Sequence, residues 1–226
     1  MGVKTLDLSS NVSLENIPDL WEQNDILLFI IDMDDYGALT ADHLDETEKQ
    51  YLEGLKSINF KKRFIVSRMA LKYICRFLLD KEFISDILLY KDNYGKLHLC
   101  GHDKINICLS YTGNVILLAV SKIKVGIDVE ERRCLPFKGR SGYVQAKKTC
   151  DNKEANDLDF LITWTVKEAY CKFSNKSILS YLRKAPDTGN ICCSSYLIDN
   201  RYILAVVTDY DQYKIDINFL DKIIFI

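Results

Sequence analysis

Asp128 and Glu130 stand two residues apart at the end of the apolar run Val125-Gly126-Ile127-Asp128-Val129-Glu130. Thirty-eight residues after Glu130 comes Glu168, followed four residues on by Lys172, within Trp164-Thr165-Val166-Lys167-Glu168-Ala169-Tyr170-Cys171-Lys172. An extended strand turns residues i and i+2 to one face, so the first pair presents two carboxylates about 6.5–7 Å apart along the backbone. A helix puts i and i+4 on one face, so Glu168 brings a third carboxylate with a cation one turn beyond it. Three carboxylates and a lysine suit a magnesium-bound phosphate ester, because hard cations select oxygen ligands and phosphoryl transfer depends mainly on charge neutralisation and positioning. Each pair alone has an ordinary explanation. Acidic alternation is common on solvent faces, and an exposed i,i+4 pair stabilises a helix by about 0.3–0.5 kcal/mol without further purpose.

Positioning these groups requires a strand under Asp128 and a helix under Glu168. The hydropathy pattern predicts both, a strand over Val125 to Glu130 and a helix from about Leu158 to Phe173, with further strands near Ser195 to Ile198, Tyr202 to Thr208 and Lys214 to Leu220. Earlier in the chain, Asp25 to Asp34 reads as a buried strand, followed by a polar helix around Asp45 to Leu55. A stronger helix runs from about Lys61 to Leu79, with Phe64, Leu71, Ile74 and Leu78 on one stripe. Asn93-Tyr94-Gly95-Lys96 marks a turn, and Ile105 to Ser110 and Val115 to Ser121 read as strands around a Tyr111-Thr112-Gly113-Asn114 turn. Cys134 to Asn156, with Pro136, two glycines and many charges, reads as a long surface loop. Two acidic strand ends echo each other, Ile31-Asp32-Met33-Asp34 and Ile127-Asp128-Val129-Glu130, ninety-six residues apart. Internal duplication and chance likeness of two strand ends both account for that.

Composition narrows the functional class. With 226 residues, 48% of them hydrophobic, the chain can bury one large core or two modest ones. A formal net charge of −2 argues against a general nucleic-acid or membrane-surface binder, which needs a basic excess. Apolar runs such as Ile26 to Ile31 and Val115 to Val120 are far too short to span a bilayer, so a soluble, cytoplasmic protein is expected. Eight cysteines form no C-x-x-C pair and only three histidines exist, so reduced thiols rather than zinc ligands are expected.

The two acidic motifs, in this order and at this separation, resemble those of the Sfp-type 4'-phosphopantetheinyl transferases, G-[IV]-D-[IV]-E and W-x-x-K-E-[AS]-x-x-K. The resemblance implies an α+β protein of two similar α/β halves related by pseudo-twofold symmetry, residues 1–120 and 121–226, with the active site between them, and a monomer. It implies transfer of the phosphopantetheine arm of coenzyme A to a serine of an apo acyl or peptidyl carrier protein, releasing adenosine 3',5'-bisphosphate. By that resemblance Asp128, Glu130 and Glu168 ligate Mg2+. Glu168 also serves as general base, directly or through a metal-bound water, and Lys172 contacts coenzyme A and steadies the leaving side. Trp164 is expected to pack and Lys167 to stand behind the ligands.

The first half extends the resemblance. Arg63-Phe64-Ile65-Val66-Ser67-Arg68 is similar to the family's basic helix, so Arg63 is expected on the 3'-phosphate of coenzyme A, with Lys61 and Lys62 adding positive potential. Tyr94-Gly95-Lys96 matches a turn that brings Lys96 to the adenosine and 3'-phosphate. Ser110-Tyr111-Thr112 corresponds to a segment usually written S-H-S or S-H-T, which implies coenzyme A contacts from Ser110 and Tyr111, the latter in place of histidine. Two family segments have no counterpart: an F-F-x-x-x-E stretch between the motifs, and a G-x-G-L segment replaced here by Phe173 to Leu179. Both lie where a carrier would dock. Two other classes compete: a coenzyme A-binding protein without turnover, and another magnesium-dependent phosphotransferase or nuclease, the nuclease being disfavoured by charge.

Overall fold

A computed structural model describes residues 2–8, 11–37, 40–135, 153–177 and 191–223. Among them are four α-helices and three sheets, a mixed α+β architecture. In chain order these are β1 (Val3–Leu6), β2 (Asn11–Val12), α1 (Ile17–Gln23), β3 (Ile26–Asp32), α2 (Glu46–Gly54), α3 (Ile58–Leu78), β4 (Leu89–Lys91), β5 (Leu97–Leu99), β6 (Asn106–Thr112), β7 (Val115–Ser121) and β8 (Val125–Glu131). Then come α4 (Lys153–Ser174), β9 (Cys192–Ile198), β10 (Tyr202–Thr208) and β11 (Ile215–Leu220). None of the described helices is long and apolar enough to cross a membrane. Most of the expected Cys134 to Asn156 loop, residues 136–152, lies outside the described residues.

The five-stranded sheet runs β2-β11-β3-β7-β6 and the four-stranded sheet β1-β9-β10-β8. Each takes its far strands from a distant part of the chain. β11 lies parallel to β3, pairing Ile215 with Ile26, and β1 lies parallel to β9, pairing Val3 with Ser195. The antiparallel hairpins β6–β7 and β9–β10 supply the rest, and β4–β5 stands apart as a two-stranded ribbon.

Two apolar layers hold this together, and β3 shows why its sequence is continuously apolar. Leu27, Phe29 and Ile31 face α3, meeting Val66, Met69, Ala70 and Ile74. Ile26, Leu28 and Ile30 face the other way, in one cluster with Val125, Ile127 and Val129 of β8 and Leu204 and Val206 of β10. A strand buried on both faces must be apolar at every position. On the outer side of the second sheet, α4 sets Ala169 and Phe173 against Ala205 and Val207. Each fully buried Val, Leu, Ile, Phe or Met among them contributes about 1.5–3 kcal/mol of transfer free energy.

Several boundaries differ from the sequence expectation. β3 stops at Asp32, whose carboxylate accepts the Asp34 N–H at 2.9 Å and opens a 3-10 turn over Met33–Asp35. Helix α3 starts three residues before Lys61, and the Asp45 to Leu55 helix is fixed by a capping box between Asp45 and Glu48. Tyr111 and Thr112 belong to strand β6, because Gly113, at φ +51°, and Asn114 alone make the turn. The strands β1 and β2, helix α1 and the β4–β5 pair were not foreseen.

Candidate active site

Alternation along β8 decides which way its charges face. Val125, Ile127 and Val129 enter the core between the sheets, so Gly126, Asp128 and Glu130 turn toward α4. Contact is close because position 126 is glycine. A Cβ there would lie 2.1 Å from the Ala169 carbonyl oxygen and 2.5 Å from the Phe173 amide nitrogen. Helix α4 therefore rests on bare backbone, and Glu168 and Lys172, one residue before each of those contacts, reach over the edge of β8.

Strands β6 and β8, which belong to different sheets, are stitched by hydroxyls. Ser110 Oγ donates to Asp128 Oδ1 at 2.6 Å and accepts the Val129 N–H at 3.3 Å. Two residues on, Thr112 Oγ1 donates to Glu130 Oε2 at 3.4 Å and accepts the Glu131 N–H at 3.2 Å. Lys172 Nζ completes the cluster, donating to Asp128 Oδ1 at 2.7 Å and Ser110 Oγ at 2.8 Å. A hydroxyl has one proton and two lone pairs, so Ser110 is saturated. Its expected contact with coenzyme A requires one of these bonds to open.

The charges at this seam are tuned by one another. Burial, then the Asp128 carboxylate, raise the Glu168 carboxyl to about 7 against the opposing pull of Lys172, with a smaller push from Glu130. Burial alone would favour a neutral Lys172, but Asp128, by charge and hydrogen bond, with Cys108 and Glu168 adding, outweighs it and holds the ammonium above the usual lysine range. Asp128 is 2% exposed, and its Oδ2 has no donor. Two carboxylates are both acceptors and can share a border only through a proton or a cation.

That undonated oxygen beside Glu168 tests the fit of a metal. The donors are carboxylate oxygens, which suit a hard divalent ion, and magnesium commonly takes one or two carboxylates, filling its other positions with water and phosphate. Glu130 is turned to a different partner, Arg133, whose Nη1 donates to its Oε2 at 2.7 Å. Among the described residues, no group of three or more metal-ligating side chains stands ready as a cage. Asp128 and Glu168 are the carboxylates that could hold an ion, and Glu130 could join by leaving Arg133 and Thr112.

A cleft of about 970 Å³ opens in front of this seam, lined by Glu168 and Lys172 from α4, Arg63 from α3, Lys96 from the β4–β5 turn, and Tyr111. Asp128, Glu130 and Ser110 are not among the residues that line it. The Arg63 guanidinium sits over the rings of Phe60 and Tyr111, at 5.6 and 5.1 Å, and its Nη2 donates to the Gly113 carbonyl at 3.2 Å. Tyr111 directs its hydroxyl to Ser67 Oγ at 3.3 Å, so its ring is a platform for Arg63.

Sequence reasoning missed a second group of charges, which reaches the same cleft through Arg68. Arg68 and Lys72 converge on Glu48, at 3.3 and 2.7 Å, with all three nearly buried. Arg68 lines the cleft and keeps an Nη1 without a hydrogen-bond partner. Burial lowers its pKa against the pull of Tyr111 and Glu48, and burial followed by the charge of Arg68 lowers that of Lys91. One signal was available: Arg68 and Lys72 fall inside the otherwise apolar stretch Phe64 to Cys75 of α3, where an unpaired charge would be prohibitive. Chemically, the cleft is lined by several cations that suit phosphate, Arg63, Arg68, Lys91, Lys96 and Lys172, and by one carboxylate, Glu168, that can carry a proton or share a metal. Comparison with models of known protein families finds no match to this chain, and comparison with curated proteins finds none either.

Proposed function

We propose that the protein transfers the 4'-phosphopantetheine arm of coenzyme A to a serine hydroxyl of an apo acyl or peptidyl carrier protein, releasing adenosine 3',5'-bisphosphate. The observation that carries this reading is that Glu168, Lys172, Arg63 and Lys96 all line one cleft of about 970 Å³. Arg63 and Lys96 would grip the 3'-phosphate through charge-assisted hydrogen bonds. The serine oxygen forms a bond to the phosphorus on the pantetheine side, and the bond from that phosphorus to the bridging pyrophosphate oxygen breaks. Glu168 takes the serine proton at its carboxylate. Lys172 lies within reach of the charge that develops on the leaving phosphate. Mg2+ held by Asp128 and Glu168, and by Glu130 once released from Arg133, would supply neutralisation of the pyrophosphate oxygens.

The topology supports a pseudo-twofold relation between the halves. In the first, β3 is followed by helix α3 and then the hairpin β6–β7, with sheet order β3-β7-β6. In the second, β8 is followed by α4 and the hairpin β9–β10, with order β8-β10-β9. The acidic ends of β3 and β8 then occupy equivalent places. Incubation with coenzyme A, Mg2+ and a panel of apo carrier proteins, read by intact mass, tests the activity. One carrier gaining the mass of a phosphopantetheine arm establishes it. No gain on any carrier, from protein that binds coenzyme A, would leave a binding protein instead.

A further inference from the structure

We propose that Asp92 is a positioning residue, whose carboxylate fixes the Lys96-bearing turn to the end of the helix carrying Glu168 and Lys172, so that both walls of the cleft keep one spacing. The inference rests on the transferase reading above.

The turn between β4 and β5 is built around Asp92. Its Oδ1 accepts the N–H groups of Tyr94 and Lys96, each at 2.9 Å. Its backbone N–H donates to the Lys96 carbonyl, and its carbonyl accepts the Gly95 N–H, both at 2.9 Å. Gly95 takes φ +86°, so the turn has a glycine where its backbone demands one. The other carboxylate oxygen looks outward. It meets His98 Nε2 at 3.1 Å and accepts from Asn175 Nδ2 at 3.4 Å, across 83 residues of sequence. The His98 bond, followed by the turn amides, holds the Asp92 carboxyl below its usual range, so it remains an acceptor.

Asn175 is fixed by its own backbone. It follows the last residue of α4 at φ +55°, and the Lys176 N–H returns to the Cys171 carbonyl at 3.0 Å, closing the helix end. The side chain that touches Asp92 is thus rigidly connected to the turn of helix holding Lys172. A ligand gripped by Lys96 on one side and acted on by Glu168 on the other depends on that spacing, since misplacement by about 1 Å costs on the order of a hundredfold in rate.

Four variants test this: Asp92→Ala, Asp92→Asn, Asn175→Gly and the Asp92→Ala/Asn175→Gly double. Glycine keeps the left-handed backbone while removing the contact. Coenzyme A binding is measured by calorimetry with Mg2+, and turnover on an apo carrier by intact mass. Asp92→Ala should weaken binding about tenfold and slow turnover, and Asp92→Asn, which retains the Oδ1 acceptor, should recover binding to within about threefold. Asn175→Gly should slow turnover at least about threefold, with the double variant no worse than Asp92→Ala alone. Additive effects, or normal turnover in Asn175→Gly, overturn the proposal. If the wild-type protein neither binds coenzyme A nor modifies a carrier, the transferase reading fails by itself. Hydrogen exchange then decides the positioning role: faster exchange of the Tyr94 and Lys96 amides in Asn175→Gly supports it, and unchanged exchange overturns it.

Discussion

Lys172 Nζ sits 2.7 Å from Asp128 Oδ1, leaving Oδ2 of the same buried carboxylate without a donor. One oxygen is committed to holding the helix, and the carboxylate as a whole pushes on its neighbour Glu168. The two neighbouring carboxylates therefore behave differently when removed. Asp128→Ala strips Lys172 and Ser110 of their shared acceptor and should destabilise the metal-free protein by about 2–4 kcal/mol. Urea unfolding at pH 7 checks this, and equal or greater stability would contradict the role given to Oδ1.

Glu168 should destabilise the metal-free fold as pH rises. Its folded pKa of about 7 lies above its ordinary 4.5, so between those values the folded state keeps a proton that the unfolded chain has released. Stability from this group is complete below about 4.5 and is lost by the time pH passes 7. The loss is on the order of 1–2 kcal/mol, after discounting for solvent around a half-buried group. Glu168→Gln should flatten this slope, gain stability at pH 8 and abolish transfer. Added Mg2+ should raise the melting temperature more at pH 8 than at pH 5.5, and an equal rise at both would count against Glu168 as a ligand.

Gly126→Ala should push α4 outward. A methyl group 2.1 Å from a backbone carbonyl cannot be absorbed by side-chain motion, so about 1–3 kcal/mol of stability should be lost. Turnover should fall more than stability does, since Glu168 and Lys172 move with the helix. A folded variant with normal turnover would show that the seam tolerates displacement.

Arg63 and Lys96 should distinguish coenzyme A from its 3'-dephospho form by about 1.5–3 kcal/mol per charge-assisted hydrogen bond. In Arg63→Ala the two substrates should become more alike in kcat/KM. Undiminished discrimination would move the 3'-phosphate elsewhere, with Arg68 as the next cation on the cleft.

Tyr111 should act through its ring. Because its hydroxyl is directed to Ser67 and its face lies under Arg63, Tyr111→Phe should keep coenzyme A affinity within about twofold, while Tyr111→Leu should weaken it about fivefold by removing the platform. Calorimetry on both variants checks the difference. Equal losses would point to the hydroxyl.

Legibility in the sequence followed how local the cause was. β3, β7, β8 and β10 could be read because burial on two faces, or strict alternation, is written in consecutive residues. β1 and β2 could not, since Val3–Leu6 and Asn11–Val12 are strands only by pairing with β9 and β11, nearly the whole chain away. Asp128, Glu130, Glu168 and Lys172 were visible through spacing within single elements. The Glu48–Arg68–Lys72 group showed only as two charges inside a mostly apolar helix, because Glu48, which pairs with both, is brought to them by helix α2 lying against α3. Asp92 reaching Asn175 depends likewise on a contact across 83 residues that no local pattern encodes, whereas Arg133 follows Glu130 by only three residues but lies past the end of β8, where spacing alone does not fix direction.

The pairing of Ile215 with Ile26 spans 189 residues, and it gives β3 its second neighbour. During synthesis on the ribosome, the apolar segment Ile26 to Ile31 emerges early and must wait for β11 before both its edges are covered. An uncovered strand that is apolar on both faces invites pairing with another chain. Expression yield should thus depend on chaperone capacity, and truncations that remove β11 should appear in inclusion bodies even though every side chain lining the cleft is retained.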